Sequence, residues 1–421
     1  MDNPALTIGL AMALGMMSQV IARVLHLPGI VILLAAGIIF GPDGLSWIQP
    51  SSLGPALQII VGFAVAVILF EGGMNLRISR IKREELAIRG LITIGALITL
   101  IGGTLAALII LGWDFRTSIL FGTLIIVTGP TVIKPLLKRV RLHPGVSTVL
   151  EAEGVLLDAI GAIVAVVTLE IALSPSGLSF IKGLFHIISR LTIGTILGIA
   201  GGGLLTLLFR IRKLIPEGLE NVFILSWVFA LFQLANTASP ESGIAAVTIA
   251  GMTIGNSKTY IQRELLEFKE QLTILMIGML FILLAADVRI ADIQLLGLKG
   301  VLTVLFLMLV IRPLSVFVAT ANSDLDTQHK LLLSWIAPRG IVAAAVASLF
   351  AFELNQHGYD GAQLRAMVFL LITMTVLSAG ITGGWISSLL GLRRKSESGW
   401  IILGAHELAR LLARLLKQGG N

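Results

Sequence analysis

The stretch TSILFGTLIIVTGPTVIKPLL, Thr117–Leu137, is apolar and long enough to cross a bilayer as one helix, yet Thr128-Gly129-Pro130-Thr131 sits in its interior. Proline removes a backbone donor and its ring crowds the preceding turn, so the helix has to break there and free some carbonyls. In lipid such groups survive only where protein, water or a bound ion satisfies them. Lys138, Arg139 and Arg141 end the run. A second interruption, Ala337-Pro338-Arg339-Gly340, lies near the start of the apolar run 328–352. A spanning helix broken in this way predicts an all-α polytopic membrane protein, and the rest of the chain supports that class.

Of the 421 residues, 56% are hydrophobic and 13% charged, and the mean hydropathy is +0.95. Soluble domains carry about 25% charged residues, so this composition cannot cover a water-exposed surface. The 45 glycines let membrane helices approach closely and mark breaks in them. With no cysteine, disulfides, thiolate metal sites and cysteine nucleophiles are excluded, and the six histidines show no metal-ligand spacing. The net charge of +7 would point to nucleic acid in a soluble protein. Here the excess lies in short loops, where Lys and Arg set topology, and no nucleic-acid partner is expected. Asp2, with no basic region before the first apolar run, argues for a retained first span rather than a cleaved signal peptide.

A ruler of about twenty residues finds thirteen spans, near 5–22, 28–48, 55–75, 90–112, 117–137, 148–173, 183–209, 219–238, 241–257, 270–287, 296–320, 328–352 and 364–389. The connections alternate. Those after spans 1, 3, 5, 7, 9 and 13 carry the basic residues, from Arg23 through Arg77, Arg80, Lys82 and Arg83 to Arg393, Arg394 and Lys395. Those after spans 2 and 6 offer only Asp43 and Lys182. The positive-inside rule then puts the N-terminus outside and the C-terminus in the cytoplasm. The two broken spans are seven apart and therefore run in opposite directions. An inverted-topology repeat predicts this arrangement, with the breaks crossing near the midplane; ordinary proline kinks are the alternative.

Ionisable residues inside the bilayer default to function. Span 6 opens EAEGVLLDAIGA, Glu151–Ala162, and on a helix Gly154, Asp158 and Gly161 share one face. Small residues around Asp158 let another backbone approach the carboxylate. An isolated ionised aspartate at that depth is strongly disfavoured, so it takes a proton or holds a cation, unless an arginine neutralises it permanently. Arg312 in span 11 and Arg339 at the break of span 12 each need a counter-ion, and Glu153 and Glu151 are available. Glu153 with Arg312 is expected as a structural pair, not as an ion ligand. Glu71, in Phe70-Glu71-Gly72-Gly73, lines a cytoplasmic access path or is an interfacial acid. Glu170 and Asp287 are expected to snorkel to water.

At this point the chain resembles the sodium/proton exchanger (cation:proton antiporter) family, of bacterial type, over about residues 5–390. FEGGMNL (Phe70–Leu76) looks like that family's third-span motif. VTGPTVIKPLL with EAEGVLLDAIGA resembles its pair TDPV and ES-x-x-ND. SGIAAVTIAGMTIGN (Ser242–Asn256) is similar to its SG-x-x-A-x-x-x-A-G-x-x-x-G-N. IRPLSV (Ile311–Val316) and PRGIVAAA (Pro338–Ala345) resemble its two arginine segments. The resemblance implies about 13 helices with two crossed broken ones, a mobile core and a dimerisation domain interleaved over residues 1–390, a homodimer, and alternating-access exchange of Na⁺ for H⁺, with K⁺ as the alternative cation. It implies a bacterial inner-membrane location and a part in pH homeostasis and salt tolerance. By position, Asp158 and Thr128 match the family's ion- and proton-binding residues, beside Gly129 and Gly154. Glu153, Arg312 and Arg339 match its structural ion pair, Glu71 its access funnel, and Pro130, Pro338 and Gly340 its broken helices. The departures are Gly129 for the aspartate of TDP, Leu157 for the asparagine of ND and Gly154 for the serine. One carboxylate at the crossing suggests electroneutral exchange.

Residues 391–421 form a separate tail. GWIILGAHELARLLARLLKQGG (Gly399–Gly420) resembles the opening strand, turn and helix of a Rossmann-like nucleotide-binding regulatory domain. It is too short for a βαβ unit, so no cofactor is expected, and nucleotide regulation only if the domain is complete. Arg410, Arg414 and Lys417 equally suit an amphipathic helix on the lipid surface. HExxH and GxSxG are absent, which argues against an enzyme, and no filter-like repeat favours a channel.

Overall fold

The computed structural model describes residues 3–25, 29–129, 133, 144–173, 179–211, 215–216, 219–257, 262–337, 339–392, 407 and 409–410. Pro130, Thr131, Pro338 and nearly all of the tail therefore lie outside the described residues. Among the described residues the secondary structure is helical, with no strand.

Among the described residues, eight helices are long and apolar enough to cross a membrane. They are α1 (Pro4–Val24), α3 (Pro55–Asn75), α4 (Glu85–Leu111), α6 (Pro144–Leu173), α7 (Ser179–Arg210), α8 (Glu220–Ala238), α11 (Ile290–Ala319) and α14 (Ala362–Leu389). The other expected runs hold α2 (Gly29–Phe40), α5 (Phe115–Leu124), α9 (Ser242–Gly255), α12 (Thr327–Trp335) and α13 (Ile341–Gln356), all shorter, and α10 (Gln262–Asp287), whose apolar part is Gln271–Asp287. Span 2, expected to reach residue 48, stops at Phe40 because Gly41-Pro42-Asp43-Gly44 turns the chain. Asn3 caps α1 ahead of Pro4, and Asp114 caps α5 through the amides of Arg116 and Thr117. The outward faces stay apolar: Ile109 and Leu298 are 78% and 73% exposed. Such surface needs lipid or another chain.

By packing, the helices fall into two groups. α1, α2, α3, α7, α8, α9 and α10 lie mainly on one another, and α4, α5, α6 and α11–α14 on one another. Glycines permit the tightest contacts, and their register gives the directions. Gly251 and Gly255 of α9 press on the carbonyls of Phe70 and Met74, so α3 and α9 run parallel. Gly90 and Gly102 of α4 meet Ala319 and Ile311, so α4 and α11 run antiparallel. The groups meet along a seam where α6 touches α7 and α9, α10 touches α13, and α2 touches α14. Contacts between connections join like with like. Asp43 after α2 binds Arg289 after α10, Arg116 in the first turn of α5 stacks on Tyr359 after α13, and Asn256 after α9 holds Leu76 and Ile78 after α3.

Candidate functional site

The two breaks meet at their glycines. After α5 ends at Leu124, residues 125–129 leave the helix, and residues 336–337 and 339–340 do the same between α12 and α13. A Cβ built on Gly129 would overlap the Cα of Gly340, and one on Gly340 would overlap the Cα of Gly129. No side chain fits there. This gives the departure from the TDP motif a physical reason: at position 129 an aspartate has no space, because the second break already occupies it.

α6 lies against the first break. A Cβ on Gly161 would stand 2.8 Å from Val127 Cγ2 and 3.2 Å from its backbone nitrogen. Thr128 Oγ1 donates to the Glu153 carbonyl at 3.4 Å. Asp158 sits between these contacts along α6, on the same helical face as Gly154 and Gly161. It is 1% exposed, and neither carboxylate oxygen has a hydrogen-bond partner among the described residues. Buried acceptors are normally satisfied, so an orphaned carboxylate calls for a proton or a cation. The acidic and histidine side chains described form no cluster of three that could hold a metal. Any cation here must draw on backbone and hydroxyl oxygens.

The carbonyls at the break are partly engaged. Ile133 donates its amide to the Gly129 carbonyl at 3.3 Å. Arg339 Nη1 faces the carbonyls of Ile126 and Val127 at 3.4 and 3.5 Å. Arg339 therefore differs from its expected place in an ion pair. Glu153 and Arg312 are within electrostatic reach, but its guanidinium serves the carbonyls that the end of α5 leaves without helical donors. Thr375 Oγ1 accepts from the Arg339 backbone amide at 3.4 Å; that residue went unnoticed in the sequence.

Glu153 and Arg312 form a two-point ion pair at 2.5 and 2.9 Å, with side chains 3% and 7% exposed, and Arg312 also donates to the Leu333 carbonyl at 3.2 Å. Arg312 follows a π turn, Leu307–Ile311, and precedes Pro313. The proline withdraws an amide, and the wider turn accommodates the loss. Gly154 is buried one residue on from Glu153. Glu71 lies half-buried in the other helix group, where Asn75 Nδ2 donates to its carbonyl at 2.8 Å and to Oε1 at 3.3 Å. No described contact joins it to Asp158.

The two acids expected to snorkel are partly exposed and also form ion pairs. Glu170 accepts from Arg190 at 2.7 and 3.0 Å, and Asp287 from Arg365. Arg190 was legible as an intramembrane arginine in span 7; only the fold supplies its partner.

The comparisons with known proteins agree with this geometry. A family described as "Sodium/hydrogen exchanger, transmembrane" matches residues 9–391. The K(+)/H(+) antiporter NhaP2 of Shewanella oneidensis is 30% identical over 85% of this chain, and the chain spans 62% of that protein's length. The Na(+)/H(+) antiporter 1 of Methanocaldococcus jannaschii is 27% identical over 93% of each chain. The solved structure of the sodium proton antiporter MjNhaP1, from the same organism, superposes with a TM-score of 0.80 at 24% identity, covering 91% of this chain and 98% of that one. With the match running through nearly the whole helical body, the chain belongs to the sodium/hydrogen exchanger family.

Proposed function

We propose that this protein is a secondary antiporter that exchanges one monovalent cation for one proton by alternating access. The observation that carries the reading is Asp158, buried on the face of α6 that meets the first break, with both oxygens unpartnered among the described residues. In the proposed cycle Asp158 holds either a proton or the cation. Thr128 adds its hydroxyl, whose hydrogen is given to Glu153, and its carbonyl, which accepts no hydrogen bond among the described residues. Gly129 and Gly154 keep the approach open, and water completes the shell that a hard cation needs. A single carboxylate takes up one positive charge in either loaded form, a proton or a cation, which makes the exchange electroneutral. Glu153 and Arg312 brace α6 against α11, and Glu71 lines the path from the basic side.

Na⁺ is the favoured cation and K⁺ the second reading; the relatives named for each ion support both. The alternation of basic loops and the like-with-like contacts of the connections support thirteen spans, an external N-terminus and a cytoplasmic C-terminus. Residues 1–390 would hold the moving and fixed helix groups, a homodimer would form through the fixed one, and the bacterial inner membrane is the location. If the tail were completed by a nucleotide-binding domain, it would add regulation.

Collapse of an imposed pH gradient in proteoliposomes, with Na⁺, K⁺ and Li⁺ in turn, tests substrate and mechanism together. Asp158→Asn should abolish the cation-dependent signal while the protein remains folded. Exchange at the wild-type rate in that variant would reject the site.

A further inference from the structure

The ion pairs outside the crossing share an unusual property: two of them span the seam between the helix groups. Glu170 lies on α6 and Arg190 on α7; Asp287 ends α10 and Arg365 lies in the first turn of α14. Each joins one group to the other. The loop alternation puts both pairs at the end of the molecule opposite the basic loops. Beneath the first pair, the seam is filled by a small apolar cluster of Ile163 and Val167 from α6 and Ala245 from α9. Glu170 lies twelve residues beyond Asp158, about 18 Å along the helix. The pair and its apolar plug therefore stand between Asp158 and that side of the membrane.

We infer that Glu170–Arg190 and Asp287–Arg365 form a latch across the seam, which holds this end closed while Asp158 is reached from the other, and which must open once in each exchange cycle. This rests on the antiport reading above. Arg190 is 5% exposed, yet its Nη1 has no acceptor among the described residues, and neither has Arg365 Nε. A buried donor left unmet is costly, and opening the seam would give both to water. The closed latch is thus held by its ion pairs and opposed by its unmet donors, as a two-state element requires. Arg190 also has a second carboxylate within electrostatic reach: Glu241, in the left-handed turn before α9 (φ 64°). Glu241 belongs to the same helix group as Arg190, so when α6 carries Glu170 away the arginine keeps an acid beside it. Arg190 thus keeps a counter-charge in either state. His186, 3.8 Å from Glu170, completes the cluster.

The chain has no cysteine, so introduced thiols report without background. In a variant carrying Glu170→Cys and Arg190→Cys, a short reducible thiol cross-linker should cut Na⁺-dependent pH-gradient collapse about tenfold or more, and reduction should restore it. Each single-cysteine variant should keep its own rate under the same treatment. Full exchange in the bridged protein would overturn the latch. A second measurement needs no transport. A Val167→Cys reporter should react with a membrane-impermeant maleimide several-fold faster once Arg190→Gln and Arg365→Gln are both introduced, and unchanged labelling would also overturn it. If unmodified protein shows no exchange at all, the antiport reading fails, and the maleimide rates still decide whether the seam is latched.

Discussion

Asp158, Glu153 and Gly129 show three ways in which one side chain can matter inside a membrane. Asp158 is an acid without a partner among the described residues, and its removal should change chemistry and leave the fold intact. Glu153 is an acid with a committed partner. Glu153→Ala would leave Arg312 buried and uncompensated, a loss of about 3–5 kcal/mol for a broken buried pair. A clear fall in detergent melting temperature is the expected result, and an unchanged value would count against the pair as a brace. Gly129 matters by what it lacks. Because a Cβ there overlaps Gly340, Gly129→Ala should push the two breaks apart and reduce exchange at least as severely as it reduces stability. Comparing flux with melting temperature for that variant checks this. The same contact explains why a glycine stands at a position where the family motif has an acid.

At the scale of elements, α6 was the most legible part of the site. Its glycines and acid fall on one face by helical periodicity alone, and the structure puts that face on the break. Arg339 was not legible in the same way, because its partners are backbone carbonyls, which every residue has and no sequence marks. The short link between α10 and α11 also holds by a contact distant in sequence. The Ile290 amide and then the Arg289 side chain hold the Asp43 carboxyl below its ordinary range. The ionised form is favoured by folding, so this contribution is present above the unfolded value, near pH 4, and is lost as the pH falls through the lower folded value. Asp43→Asn should therefore be less stable than the parent at neutral pH, with the gap closing in acid. Thermal melts at pH 7 and below pH 4 test the sign.

At the scale of the whole molecule, two helix groups meet along a seam: both broken helices belong to one group, and ion pairs join the two groups at one end. This is the division a moving carrier needs, since one group must shift against the other without unfolding either. The glycine contacts lie mostly within groups, as between α3 and α9 or α4 and α11, and stiffen each as a body. Widening one should disturb its group as a body: Gly251→Val, which drives a branched side chain into the Phe70 carbonyl, should lower the melting temperature of the chain. A melt that loses only local structure would argue against a rigid group.

The chain by itself determined the class, the order of helices and the parity of the loops. Those rest on hydropathy, periodicity and charge, which are properties of neighbours in sequence. It also singled out Asp158, because an acid among small residues at mid-span stands out against an apolar background. Only the tertiary structure decided who satisfies whom. That Gly129 lies on Gly340, that Arg339 serves carbonyls and that Glu170 is held by Arg190 are all contacts between segments whose spacing in the chain carries no distance in space. Span ends were equally beyond the sequence, as at Phe40, since an apolar run can continue through a turn that the backbone has already taken.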